Sequence, residues 1–317
     1  KKIIFTSGAT ESNNLALFGF ARNFKQKTGR YGNIITLKTE HKAVLEPIRQ
    51  LKKEGFSVTE LYPESDGLIS EENLINALRD DTFLISIMLA NNEIGVIQPI
   101  EKIFKICQKN NIKLHTDAAQ CLGYVPMKNF DSLANMITLS SHKIYGPKGI
   151  GLLIIDEDIQ LNPLFYGGGQ EFGYRSGTIP LPLIVGFSKA IELAIKNQAR
   201  NSTHLASLRD ALMNGLLKRN SQILINGSIF HRLPHNLNLT VQDINGPKFH
   251  KYIKHQIVCS SGSACSNGKV SHVLPSIGRS LKEAESSVRL SIGLTTTSDE
   301  IDKSIAVITE TINKLRK

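Results

Sequence analysis

Four short runs in this sequence concentrate side chains able to do chemistry, and each stands where an apolar stretch ends. Ser7-Gly8-Ala9-Thr10-Glu11-Ser12 follows Ile3-Ile4-Phe5 and opens a helical pattern. Small residues there let backbone N–H groups point at an anion, and the helix dipole adds to the attraction. Glycine at such a turn also has a purely conformational use, so phosphate site and plain turn are both open readings of this run. His115-Thr116-Asp117-Ala118-Ala119-Gln120 places a carboxylate among apolar neighbours. A buried carboxylate needs a cationic partner, and a pyridinium nitrogen is one; a helix N-cap is the other reading of Asp117.

Ser140-Ser141-His142-Lys143-Ile144-Tyr145-Gly146-Pro147-Lys148-Gly149 sets two hydroxyls and an imidazole ahead of a lysine. Hydroxyls and imidazole suit phosphate oxygens, and a lysine in a desolvated cleft can lose its proton and form a Schiff base. A lone lysine is ordinarily solvated surface. The rigid turn after Lys143 is what sets this one apart. The fourth run, Ser260-Ser261-Gly262-Ser263-Ala264-Cys265-Ser266-Asn267-Gly268, has almost no packing value and reads as a mobile loop carrying one thiol. Cys259 ends a strand-like stretch, 255–258, and reads as a buried structural thiol, as do Cys107 and Cys121.

The elements that must position these runs alternate. Strands are expected at Ile3–Ser7, Asn33–Leu37, Val58–Tyr62, Phe83–Leu89, Ile112–Thr116, Met136–Ser140 and Gly151–Ile155, with helices near Ser12–Lys27, Lys42–Glu54, Ser70–Arg79 and Ile100–Asn110. This alternation predicts an α/β fold with a mostly parallel seven-stranded sheet, whose ligands lie beyond the carboxyl ends of the strands. After Pro180-Leu181-Pro182 the pattern changes to one long helix, about 183–218, then strands at Ile223–Ile225, Asn236–Val241 and Val288–Ser291, and a last helix over Ser298–Arg316 opened by a Ser-Asp-Glu cap. The expected division is a large domain, residues 1–185, and a smaller α+β domain, residues 186–317, that carries the Cys265 loop.

Composition excludes other classes. No run of eighteen apolar residues is present, so no membrane helix is expected. Four cysteines without a C-x-x-C pair argue against a disulfide framework or structural zinc and for a reducing compartment, the cytoplasm. The net charge of +10 comes from scattered lysines with only 6 % aromatic residues, which does not make a nucleic-acid platform.

Together with T-E-H-K-A-V, N-N-E-I-G-V, R-S-G-T and S-S-G-S-A-C, these runs resemble, in order and from Ile3 to the last helix, the cysteine desulfurases of the class V aminotransferase superfamily. The resemblance implies the fold-type I architecture of pyridoxal-phosphate enzymes. It implies that Lys143 binds pyridoxal 5′-phosphate covalently and shuttles a proton at the substrate's α-carbon. Asp117 would pair with the pyridinium nitrogen and Gln120 with the phenolic oxygen. Ala9, Thr10, Ser140 and His142 would hold the phosphate, and Thr178 would reach the phosphate of a neighbouring subunit in a homodimer. His41 would stack on the ring as an acid/base, although a helix-start histidine is its other reading. Asn92 would lie near the phenolic oxygen and the substrate carboxylate, which Arg289 would grip with both arms of its fork.

Cys265 would take sulfur from L-cysteine as a persulfide and pass it to an iron–sulfur scaffold or another acceptor protein. No intrinsic metal is implied; with a scaffold partner, Cys265 could transiently ligate a cluster. Relatives carry several tens of residues before the Ile3 strand, so an N-terminal segment is expected to be missing, and they usually have Arg where Phe172 stands. A selenocysteine lyase or another class V enzyme would share most of these residues, and a truncated, non-catalytic assembly scaffold is a reading of a different class.

Overall fold

The computed structural model describes residues 1–126, 133–260 and 271–316. Its first unit comprises Lys1–Tyr62, Ile69–Ala90 and Gln98–Gln198; its second comprises Pro63–Leu68, Asn91–Ile97 and the chain from Ala199 onward.

The first unit is a seven-stranded sheet flanked by helices. In chain order its elements are β1 (Lys2–Thr6), α1 (Ala9–Thr28), β2 (Asn33–Leu37), α2 (Lys42–Lys53), β3 (Ser57–Leu61), α3 (Glu71–Asn76), β4 (Thr82–Ser86), α4 (Ile100–Lys109), β5 (Lys113–Asp117), β6 (Met136–Ser140), β7 (Gly151–Ile155) and α5 (Leu181–Lys196). The strand order is β1-β7-β6-β5-β4-β2-β3, and only β7 runs against its neighbours. β2, β4 and β6 are buried along their whole length, as continuous apolar and β-branched runs predict for a sheet covered on both faces. Ile4, Leu15, Leu17, Ile34, Leu84 and Leu153 share one core cluster between α1, α2 and the sheet. At the β1 edge, Glu171 accepts from the Phe5 N–H at 2.7 Å, which satisfies a donor that would otherwise face outward.

The second unit contains α6 (Gln198–Arg219, from Ala199 onward), β8 (Ile223–Ile225), β9 (Asn236–Val241), α7 (Gly246–Ile253), α8 (Val273–Ser276), α9 (Leu281–Glu285), β10 (Ser287–Ser291) and α10 (Ser298–Arg316). Its sheet is antiparallel, β10-β9-β8. Ile94 and Val96 join Val273, Leu274, Ile277 and Ala284 in its core. No described helix is long and apolar enough to cross a membrane.

The departures from expectation are local. The long helix beginning near residue 183 is two helices, because Asn197 leaves helical geometry (φ −101°, ψ 4°) and caps α5 with a bond to Leu193. Residues 255–258 are not a strand: Gln256 and Ile257 donate back to Ile253 and finish the α7 turn. That helix is announced by Asn245, which caps Lys248 N–H, and by Pro247. The cap of α10 lies one residue earlier than expected, as a Thr297–Glu300 box.

Candidate active site

Helix α1 starts three residues after β1. Its N-cap, Gly8, has φ +152° and makes no side-chain cap, so the first amides of α1, those of Ala9 and Thr10 among them, are left for an anion. A Cβ at Gly151 on β7 would lie 2.7 Å from Gly8 Cα, so glycine is required for this turn to pass so close. Glu11 accepts from Ser7 N–H at 2.7 Å and from Arg175 Nε at 2.9 Å. Burial alone would raise its carboxyl, but the bonds from Arg175 and Ser7 outweigh that and hold it below its ordinary value. The pair ties the run that carries Thr178 to the start of α1.

At the end of β5, Asp117 is 8 % exposed. Its Oδ2 accepts from Asn13 Nδ2 at 2.7 Å and its Oδ1 from Ala119 N–H at 3.0 Å. Both donors are neutral, and no ion pair involves Asp117 among the described residues. Two residues earlier on β5, His115 is fully buried between Ser86 and Thr138, and burial pushes its imidazole down to about 3, so it stays neutral. Gln120 follows, half-buried.

Beyond β6 the chain makes a single tight turn over Ser141–Ile144 and closes with Tyr145 in the left-handed region at φ 62°. This places His142 and Lys143 at the exposed strand end. Ser140 Oγ and His142 Nδ1 lie 2.9 Å apart. Desolvation, followed by the charges of Lys143 and Lys148, holds His142 below its usual value. His41 is the N-cap of α2, and its Nδ1 accepts from Ala43 N–H at 3.1 Å. The helix-start reading of His41 is therefore met, and the bond leaves the proton of the neutral ring on Nε2. Asp117 and Ser140 end β5 and β6, and Ala9, Thr10, His41, Gln120, His142 and Lys143 follow the carboxyl ends of β1, β2, β5 or β6, along the same edge of the sheet.

The second unit brings Asn92 and Arg289 together: Arg289 Nη1 donates to the Asn92 carbonyl at 3.0 Å, while the buried Arg289 Nε has no partner among the described residues. Arg289 also exchanges two backbone bonds with Ser260, at 2.8 and 3.1 Å. Glu93, buried beside Asn92, accepts from Ser271 Oγ. Cys265 lies outside the described residues. Cys259 is half-buried, less enclosed than expected for a structural thiol. Two further polar residues were not among the sequence candidates: Asn13, which directly follows Ser12, and Glu93, which stands inside N-N-E-I-G-V. Asn13 is four residues after Ala9, so it shares that face of α1.

These residues fit pyridoxal 5′-phosphate. An uncapped helix start beside a hydroxyl–imidazole pair suits a dianion, and a buried carboxylate held only by neutral donors suits the ring's cationic nitrogen.

The aminotransferase class-V family profile matches residues 1–303. The chain belongs to this family, among its cysteine desulfurases. It is 46 % identical over 321 residues to the mitochondrial cysteine desulfurase of Eremothecium gossypii, covering 100 % of this chain and 64 % of that protein. It is 45 % identical over 320 residues to the cysteine desulfurase IscS of Histophilus somni, covering all of this chain and 78 % of the relative. The chain thus spans about two-thirds to four-fifths of the length of these desulfurases. Among solved structures, a NifS-like protein superposes with a TM-score of 0.90 at 35 % identity over 99 % of this chain and 83 % of the other. SspA in complex with cysteine superposes at 0.77 with 38 % identity over 92 % and 81 %. Class-V enzymes of this kind work with pyridoxal 5′-phosphate, and the α/β sheet described above is their fold.

Proposed function

We propose that this chain is a cysteine desulfurase: it converts L-cysteine to L-alanine, keeps the sulfur as a persulfide on Cys265, and delivers it to an acceptor protein of iron–sulfur cluster assembly. The observation that carries the reading is Asp117, a buried carboxylate whose only partners among the described residues are neutral donors. It needs a cation, and the family's cofactor has one. Bound there, the cofactor would supply the electron sink that weakens the substrate's Cα–H and C–S bonds.

The residues divide the remaining work. The amides of Ala9 and Thr10, with Ser140 and His142, hold the phosphate. Lys143 fixes the cofactor and moves the proton at the substrate's α-carbon. His41, its Nε2–H fixed by the capping bond, stacks on the ring, and Gln120 donates to the phenolic oxygen. Arg289 grips the substrate carboxylate, with Asn92 beside it; the unmet Nε leaves one more donor for that anion. The Cys265 thiolate attacks the substrate sulfur: an S–S bond forms, the C–S bond breaks, and its electron pair stays on carbon, which takes up a proton to give alanine. The first unit serves as the cofactor-binding domain and the second as the smaller domain that carries Cys265.

The active unit is a homodimer in which Thr178 reaches the neighbouring subunit's phosphate. Leu181 and Val185, one helical turn apart on α5, are about 60 % exposed, an apolar face that suits a second copy. The compartment is the cytoplasm.

The test is turnover. Purified protein with pyridoxal phosphate, cysteine and a thiol reductant is expected to yield alanine and sulfide in equal amounts. Cys265→Ser is expected to keep the visible cofactor band and lose both products. Alanine released at the wild-type rate by that variant would overturn the assignment.

A further inference from the structure

Asn13 lies in the second turn of α1 and is fully buried. It does one thing there: its Nδ2–H donates to Asp117 Oδ2 across a sequence separation of 104 residues. Its own Oδ1 is buried and has no partner among the described residues. A buried acceptor left unmet costs free energy, and a leucine of similar size would avoid that cost. The amide is therefore retained for its donor, not for packing.

We propose that Asn13 is a positioning residue that fixes the Asp117 carboxylate in one orientation for the pyridinium nitrogen of the cofactor. The inference rests on the cofactor reading above and adds a residue to it. The geometry supplies both halves. Asn13 takes one carboxylate oxygen and the Ala119 N–H the other, so rotation about the Cβ–Cγ bond would break two hydrogen bonds at once. A carboxylate accepts at about four lone-pair sites, so each oxygen keeps capacity for the cofactor's N–H. Donors that bind the charged form favour it, and here they are neutral, so they hold the charge without cancelling it.

Around Asp117, burial raises the Glu40 carboxyl, opposed by the Met88 bond and helped by the aspartate charge, and burial and the same charge raise the Cys121 thiol. Without Asn13 one carboxylate oxygen loses its donor, and the group is free to turn away from the ring nitrogen.

The experiment compares Asn13→Leu, Asp117→Asn and the exchanged pair Asn13→Asp/Asp117→Asn. Each is loaded with pyridoxal phosphate labelled with ¹⁵N in the ring, alongside the wild type. Three quantities are read: the ¹⁵N shift, which reports protonation of the ring nitrogen, the cofactor dissociation constant, and the thermal midpoint of the apoprotein. Asn13→Leu is expected to move the shift toward the unprotonated value and weaken cofactor binding about tenfold, the loss of one charge-assisted hydrogen bond. The exchanged pair is expected to recover the apoprotein midpoint relative to Asp117→Asn, because the amide–carboxylate bond is restored, without recovering ring protonation.

A merely structural Asn13 predicts that Asn13→Leu lowers the apoprotein midpoint while the ring shift and the cofactor affinity stay at their wild-type values, and this result would overturn the proposal. Should Asn13→Leu not fold, Asn13→Ala, read for the same shift and affinity, decides instead. A wild-type protein with no visible cofactor band would take down the cofactor reading and this inference together. A wild-type band with an unaffected Asn13→Leu sinks only the inference.

Discussion

Glu40 sits beside His41 with no exposed surface, and its Oε1 accepts from Met88 N–H at 2.6 Å. Burial raises its carboxyl well above the ordinary 4.5, the Met88 bond opposes the shift, and the Asp117 charge adds to it. The folded protein therefore binds a proton that the unfolded chain releases above that value. Stability is full below the unfolded pKa and declines as the pH rises toward the folded one. Glu40→Gln keeps the acceptor for Met88 and removes this linkage. It should be more stable than the wild type near neutral pH and lose that advantage at about pH 4, as urea midpoints at the two pH values would show. An advantage of the same size at both pH values would mean that Glu40 is ionised in the fold. Thiol reactivity makes a second prediction. Burial pushes Cys107 up to about 12 and raises Cys121 and Cys259 as well, so all three are poor nucleophiles at neutral pH. Iodoacetamide should label one cysteine rapidly in the wild type and none in Cys265→Ser; equal labelling of both would place the reactive thiol elsewhere. At this scale the sequence put Asp117, His142 and Lys143 forward as candidates, because each stands at the end of a β-branched run that is visible in it. Asn13 and Glu93 were harder to see. Their significance lies in partners 104 and 178 residues away, Asp117 and Ser271, and no local pattern reports such a partner.

Elements were legible where their own residues determine them. β2, β6 and β7 have the expected bounds because Asn33–Leu37, Met136–Ser140 and Gly151–Ile155 are short apolar runs ended by polar or glycine residues. The break at Asn197 was not legible, since residues on either side have helical propensity and one asparagine inside a helix is tolerated. Helix α7 was hidden by its own start: Asn-Gly-Pro reads as a turn, yet it is a cap, and Gly246 is required because a Cβ there would meet the Glu285 carbonyl at 2.2 Å. The approach of β7 to the α1 turn carries the prediction proper to this scale. Gly151→Ala forces a methyl group against Gly8 Cα and the Leu139 carbonyl, 2.7 and 2.8 Å away, neither of which is a flexible side chain. The variant should push the α1 start aside and bind pyridoxal phosphate at least about tenfold more weakly, while its far-ultraviolet circular dichroism stays near that of the wild type. Unchanged affinity would separate the α1 start from the phosphate.

At the scale of the whole molecule, exposed apolar surface makes the next prediction. The α5 face led by Leu181 and Val185 should be covered in solution, and the protein should sediment at twice its chain mass. Val185→Glu buries a charge in such an interface and should shift the equilibrium to monomer; a wild-type protein already monomeric at micromolar concentration would place the function of this face elsewhere. From sequence a smaller body was expected beyond about residue 185, whereas α5 belongs to the first unit and the second takes up the chain from Ala199. The sequence did not disclose that Pro63–Leu68 and Asn91–Ile97 belong to that second body too, because a six- or seven-residue excursion between strands resembles an ordinary loop.

That three-piece construction bears on how the protein is made. Ile97 leaves the ribosome long before its hydrogen-bond partner His231, and Asn91–Ile97 must wait for the core of Val273, Leu274 and Ile277. At roughly 5–20 residues per second the wait is on the order of ten seconds. During that interval a nascent chain with its first sheet complete displays Ile94 and Val96 with nothing to cover them. This period is when holdase chaperones would have most to bind, and slowed translation or premature termination shortly after α5 should send the product to aggregation or proteolysis.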